Sequence, residues 1–327
     1  MPPTQGVSLF GTTPDGQEVQ RITIASGELT VAILTWGAIL QGVWPKDGTT
    51  SLTLGSENLQ DYLSGMRHHG CLVAPVANRF TGGVAKIGGV VHEFERNQAG
   101  RHTLHSGSTA AHLTVWDVVE VAVDRAVLQI ALEDGRGGFP GNRRVRAEFA
   151  VRGAGLRLSI SATTDRLTLF NATNHSYWNL DGTETFAGHH LKIAAESYLP
   201  TDADFCPTGE IRAVAGTEMD FRRERAVRPG EPALDHNFCL SMGQTHLRDV
   251  LWLTGSSGRS MTLATTEPGI QLYDARNARR PGHGLYEGLA IEAQNWPDAP
   301  NHPGFPSIEL RPGETRVQVT EWRFSQG

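Results

Sequence analysis

The chain has 327 residues, a net charge of −6 and one charged residue in five. That is ample for a large buried core, and with no long basic run nothing in the chain points to nucleic acid or an anionic membrane as partner. The three cysteines, Cys71, Cys206 and Cys239, are odd in number and irregular in spacing. They spell neither a disulfide framework nor a zinc knuckle, and are expected as buried free thiols.

Along the chain the dominant pattern has a period of two. The N-terminal stretch lacks a basic start followed by an apolar run, and no later window reaches membrane-spanning length, so a cytoplasmic protein is expected. Leu29, Val31 and Ile33 alternate first. Glu57 to Leu63 is expected to form one short helix, and little else has helical spacing. Leu128, Ile130 and Leu132 alternate ahead of Asp134-Gly135. Val145, Ala147, Phe149 and Val151 alternate with Arg144, Arg146 and Glu148, and Leu156, Leu158 and Ile160 with Arg157 and Ser159. Gly153-Ala154-Gly155 lies between these runs, which predicts an antiparallel hairpin with one wet face. Val317 and Val319 repeat the pattern near the end. Turn signals recur throughout, with no linker and no fixed repeat. The expectation is a single all-β domain over residues 1–327, a large antiparallel sandwich or barrel whose curved sheets enclose a cleft.

Several signatures of chemistry are absent. No glycine loop ends in Gly-Lys-Ser/Thr, no nucleophile elbow occurs, and thirteen histidines include no His-Glu-x-x-His. Adjacent histidines, His68-His69 and His189-His190, would point to opposite faces of a strand and could not share a metal without a bend. No metal and no cofactor are expected. Four stretches carry more polar groups than turns need: "APVANRFTGG" with Asn78 and Arg79, "LHSG" with His105, "LTLFNATNHSYWNLDG" with His175, and "GLAIEAQNWPDAPNHPGFP" with Glu292. If residues 289 to 293 are extended, Leu289, Ile291 and Ala293 share one face and Glu292 faces the other way. A carboxylate inside an apolar strand is costly unless it is paired or used. Each residue also has a bland reading: His175 as a satisfied strand-end histidine, Glu292 as a carboxylate near a turn, Arg79 as a bridge between loops, Asp235 in "LDHNF" as a turn cap.

Together these stretches resemble the aldose 1-epimerase family, also called galactose mutarotase. "NRF" at Asn78, "LHSG" at Leu104, "TNHSYWNL" at Thr173, "LDHNF" at Leu234, "TTEPGIQLY" at Thr265 and "IEAQNWPDAPNHPGFPS" at Ile291 are similar to its motifs in order and spacing. "PTGEI" at Pro207 and "LRPGE" at Leu310 add to the likeness, which covers nearly the whole chain. The resemblance implies a galactose mutarotase-like supersandwich with an open sugar cleft. It implies exchange of the α and β anomers of a free aldose such as galactose or glucose, without a cofactor. It makes Glu292 the general base, His175 the general acid and His105 an assisting histidine, with Asn78, Arg79, Asp235 and Gln271 on sugar hydroxyls. The expected partner is a monosaccharide, with no nucleic acid and no membrane, and the chain acts as a monomer or weak homodimer.

This sequence departs from the family at Trp178, where Phe is frequent, in the run after His105, and at Leu272, where an aromatic is common. Trp296, Tyr273 or Trp178 would supply an aromatic plane to the sugar. Other readings of the same residues are a non-catalytic sugar-binding domain, an epimerase for a phosphorylated hexose using Arg101, Arg136, Arg143 and Arg144, and a structural or partner-binding role.

Overall fold

Antiparallel pairing organises the chain from its first strand. The computed structural model describes all of residues 1–327. Strands Gly6–Thr12, Glu18–Ala25, Leu29–Leu34 and Ile39–Pro45 follow one another as a meander. A nine-stranded sheet runs in the order Asp117–Val121, Arg125–Leu132, Arg143–Arg152, Gly155–Thr164, Arg316–Gln326, Arg259–Thr265, Arg248–Thr254, His190–Ile193, Arg225–Ala226. A six-stranded sheet runs Tyr177–Trp178, Leu289–Gln294, Gly269–Tyr273, Asp235–Cys239, Ser197–Leu199, Arg212–Ala213. The result is the antiparallel all-β sandwich that the alternation predicts.

The hairpin expected at Gly153 forms with Arg152 opposite Gly155, leaving a two-residue turn. Gly153 has φ +55°, the left-handed conformation such tight turns require. Val145, Ala147, Phe149 and Val151 are all at most 3% exposed, while Arg144 and Arg152 face solvent. Burying one face of each sheet removes apolar surface from water and gives a contiguous core of 53 residues drawn from all three sheets. The short helix is present as Leu59–Leu63, capped by the Asn58 side chain, which accepts from Gln60 N–H. All three cysteines are free and buried. No helix is long and apolar enough to cross a membrane.

The C-terminal alternation holds in part: of the two expected apolar positions in Arg316–Gln326, Val319 is buried but Val317 is exposed, and the face that enters the core carries Trp322 and Phe324. Gln318 therefore turns inward. It is accommodated because its amide accepts from Ala172 N–H at 2.9 Å and donates to Ala172 C=O at 3.0 Å, so a side chain completes the backbone pairing there.

Candidate active site

Three neighbouring strands of the six-stranded sheet put the polar groups on one face. In Leu289–Gln294, Leu289 and Ile291 enter the core, so Glu292 must point the other way. Gln271 stands directly opposite Glu292, and Asn237 directly opposite Gln271. Asp235 lies two residues along from Asn237, on the same face. The segment carrying His175 is tied to this sheet by side chains. Asn171 Oδ1 accepts from Asn295 N–H at 2.7 Å, Asn171 Nδ2 donates to Asn295 C=O at 3.2 Å, and Thr173 Oγ1 donates to Ala293 C=O at 3.1 Å. The polar run after Phe170 thus does the work of a strand pairing that its backbone does not make.

The two loops are stitched to each other in the same manner. Arg79–Phe80 pairs with Thr103–Leu104, His105 N–H donates to Asn78 C=O, and Ser106 Oγ bonds both the N–H and the C=O of Val76. Asn78, His105 and Ser106 all have left-handed backbones, at φ +63°, +50° and +64°. Non-glycine residues adopt this conformation at a cost, and a concentration of them marks a shape that its surroundings impose. Asn78 N–H donates to His105 Nδ1 at 3.1 Å. That nitrogen is an acceptor, so the ring proton of neutral His105 sits on Nε2.

A cavity of about 280 Å³ opens over these groups and is lined by Asn78, Arg79, His105, His175, Asp235 and Glu292, among others. Glu292 Oε1 lies 3.5 Å from His175 Nε2, and Glu292 Oε2 and His175 Nδ1 have no protein partner. Arg79 is buried and uses three of its five N–H groups within the protein. It donates to Gln98 Oε1 at 3.0 Å, to Asn78 Oδ1 at 3.3 Å and to Asp235 Oδ2 at 3.3 Å. Burial raises the Glu292 carboxyl well above the ordinary carboxylate range. The nearby charge of Asp235 adds to this and Arg79 opposes it. Burial also drives His175 and His105 well below the usual imidazole value, with His68 adding to the effect on both.

The structure thus brings six of the seven expected residues together around one cavity. Gln271 is the exception, because it stands behind the lining and donates to Asp235 Oδ1 at 2.6 Å. The expected aromatic planes are also corrected. Trp178 and Trp296 are at most 1% exposed, the former against Trp322 and Phe324 in the core, so neither reaches the cavity, whereas Tyr273 does. Leu272 faces the core as well, so an aromatic at that position would not have met the sugar. None of Arg101, Arg136, Arg143 and Arg144 lines the cavity. Arg101 pairs with Asp204, Arg136 donates to Thr109 C=O and Arg143 to Glu133 C=O.

Sequence reasoning missed several lining residues. His68 and His69 sit in a turn rather than a strand, so both border the cavity. Gly70 makes that turn. Its φ is +72°, and a Cβ there would lie 2.3 Å from Leu40 C=O. The His68 ring stacks on His175 with centroids 5.7 Å apart and meets His105 edge-on at 4.9 Å, while His69 stacks on Tyr177 at 4.4 Å. The signal available was a histidine pair directly before a glycine, upstream of "NRF". Phe205 and Arg276 also line the cavity, and only the proximity of Phe205 to "PTGEI" hinted at it.

The chain is similar to known proteins over nearly its whole length. The family model described as aldose 1-epimerase matches residues 20–323. Galactose mutarotase of Mus musculus is 33% identical over 97% of this chain and 98% of its own length. Aldose 1-epimerase of Escherichia coli K12 is 29% identical over 95% of this chain and 96% of its own. Among solved structures, a GalM/aldose epimerase homologue from C. elegans superimposes with a TM-score of 0.87 at 29% identity, covering 94% of this chain and 98% of that one. Galactose 1-epimerase from Lactobacillus acidophilus NCFM gives 0.86 at 26% identity, covering 99% of each.

Proposed function

The chain belongs to the aldose 1-epimerase family, and from that membership we propose that it equilibrates the α and β anomers of a free aldose such as galactose or glucose, with Glu292 as base and His175 as acid. The observation that carries the roles is the 3.5 Å approach of Glu292 to His175 inside a cavity rich in hydroxyl-binding groups. Adjacent sugar oxygens O1 and O5 can reach both groups at once, as proton transfer requires. Glu292 takes the proton from the O1 hydroxyl, His175 gives a proton to O5, the C1–O5 bond breaks and C1=O1 forms. Rotation about C1–C2 presents the other face of the aldehyde, and the same transfers in reverse close the ring.

Burial pushes glutamate and histidine both towards neutrality, which in the empty cavity favours the shared proton on Glu292 beside an uncharged imidazole. Ring opening as written uses the other placement, with that proton on His175 and Glu292 ionised. It ends with Glu292 protonated and His175 neutral, because one proton has left the imidazole for O5 and another has reached the carboxylate from O1. Closure restores the start, and no proton is exchanged with solvent. The reaction as written uses no cofactor.

Asn78, Arg79, Asp235 and His105 hold hydroxyls, His105 donating through Nε2, while Gln271 fixes Asp235 rather than the sugar. A neutral aldose suits the cavity better than a phosphorylated one, since its guanidinium groups, Arg79 and Arg276, are already matched by Asp235 and Asp274. One chain supplies every group, which supports action as a monomer or weak homodimer, and the buried free thiols support a cytoplasmic setting. Polarimetry on freshly dissolved α-galactose or α-glucose tests the reading: equilibration no faster than in buffer would overturn it. Glu292→Gln and His175→Asn should each lower kcat by at least about a hundredfold; near-normal turnover in either removes that residue from its role.

A further inference from the structure

We propose that Phe205 is a specificity-determining residue of the sugar cavity, an apolar wall that receives neutral aldoses and screens its two guanidinium groups from an anionic substituent. This rests on the sugar-epimerase reading above and concerns which sugars that site accepts.

The cavity has few apolar side chains to offer a sugar's C–H groups. They are Leu104, Tyr177, Phe205, Tyr273 and Ala278. Tyr177 is 3% exposed, with its ring against His69 and His175. The Tyr273 hydroxyl accepts from Asn277 N–H at 2.9 Å, which holds that ring at the rim. Phe205 is half-buried and borders Asn78 and Asp235, the residues assigned to hydroxyls. Its ring lies beside both guanidinium groups, 5.6 Å from that of Arg79 and 5.8 Å from that of Arg276. A carboxylate or phosphate seeking those cations meets a ring that offers no hydrogen bond, and burying an anion against it is unfavourable.

The loop is built to keep the ring in place. Phe205 has a left-handed backbone, φ +62°, unusual for an aromatic residue. Asp202 Oδ1 accepts from the N–H of Asp204 at 2.9 Å and of Cys206 at 3.0 Å, and Asp202 C=O accepts from Phe205 N–H at 3.1 Å. The residues flanking Phe205 are fastened to one point. Asp204 pairs with Arg101 and lies 3.3 Å from His102 Nε2, while Cys206 Sγ lies 3.5 Å from His102 Nδ1. His102 in turn precedes the Thr103–Leu104 strand that leads to His105. Phe205 is therefore indexed to the same strand as an assigned hydroxyl donor.

The test is anomer exchange of D-galactose and of D-galacturonate, its carboxylate analogue, by wild type, Phe205→Ala and Phe205→Leu. In Phe205→Ala, KM for galactose should rise about fivefold or more with kcat within about twofold, and the kcat/KM preference for galactose over galacturonate should fall about tenfold, the scale of one lost pocket contact. Phe205→Leu, which keeps an apolar wall, should recover most of both. If Phe205→Ala does not fold, Asp204→Asn releases the loop from Arg101 and His102 and should move both readouts the same way by less. Unchanged KM and preference in the alanine variant, or in Asp204→Asn where that stands in, overturn the proposal, as does a leucine variant no better than alanine. Wild type inactive on both sugars would sink the epimerase reading instead.

Discussion

Asn171→Ala should damage stability and turnover together, because one side chain joins the strand of Glu292 to the segment of His175. The amide accepts from Asn295 N–H at 2.7 Å and donates to Asn295 C=O at 3.2 Å, with both residues at most 4% exposed. Alanine leaves a buried donor and a buried acceptor unmatched, each costing about 1–3 kcal/mol, so a loss of about 3 kcal/mol is expected. The Asn171 backbone bonds, to Pro75 C=O and from Ala77 N–H, survive the substitution, so the segment stays attached on its other side. What loosens is the distance between Glu292 and His175. Misplacement by a fraction of an ångström should cost about tenfold or more in kcat, with a smaller change in KM. Urea unfolding followed by tryptophan fluorescence measures the first effect and polarimetry the second. Thr173→Val, which removes the single bond to Ala293 C=O, is the comparator and should cost about 1 kcal/mol. An Asn171→Ala protein within about 1 kcal/mol of wild type and equally active would refute the idea that this amide holds the two halves of the site in register.

Arg79→Lys should raise KM about tenfold or more, since an ammonium cannot reproduce the fork that spans Gln98, Asn78 and Asp235; unchanged kinetics would show that charge alone suffices. Acidification should unfold the protein early. Burial holds His68 at about 4 and His69 at about 3, so between about pH 6.5 and those values the unfolded chain binds protons that the folded chain refuses. Stability is fully present above about pH 6.5 and falls below it by at most about 1.4 kcal/mol per pH unit per histidine. The urea midpoint should drop from pH 7 to 5, and His69→Phe, which keeps the stack on Tyr177, should flatten the slope. A midpoint constant over that window would count against the buried neutral imidazoles. Cys71, Cys206 and Cys239 should resist a thiol reagent until denaturant is added, and rapid labelling of the native protein would contradict their burial.

The sheets were legible because each strand reports its own faces: a period of two at Val145–Val151 or Leu289–Ala293 needs no knowledge of what lies opposite. The facing of Gln318 was not, since its inward position depends on Ala172, far away in sequence, offering two backbone groups to its amide. At the site, the residues to which reaction chemistry is assigned stand in motifs and were named from them. The residues that hold the motifs in place were harder to see. Gln271 was read as a hydroxyl ligand, and only three-dimensional register shows its amide donating to Asp235. Trp178 and Trp296 were attractive as sugar platforms by type, yet large apolar rings near a sheet are more profitably buried. His68, His69 and Phe205 reach the cavity from turns, where direction is set by single left-handed residues rather than by any periodicity.

The bond from Asn78 N–H to His105 Nδ1 decides what that ring can be. To become imidazolium, His105 would have to put a proton on the nitrogen that already receives one from the backbone, and two donors cannot face each other. Across the working range the ring is then a permanent dipole with its positive end aimed outwards, not a participant in titration. An aldose anomeric centre gathers negative charge on oxygen as the ring parts, and a donor that cannot be switched off by pH stands ready for it at no cost of reorganisation. On the roles proposed for Glu292 and His175, the pH dependence of activity should follow that pair and not His105.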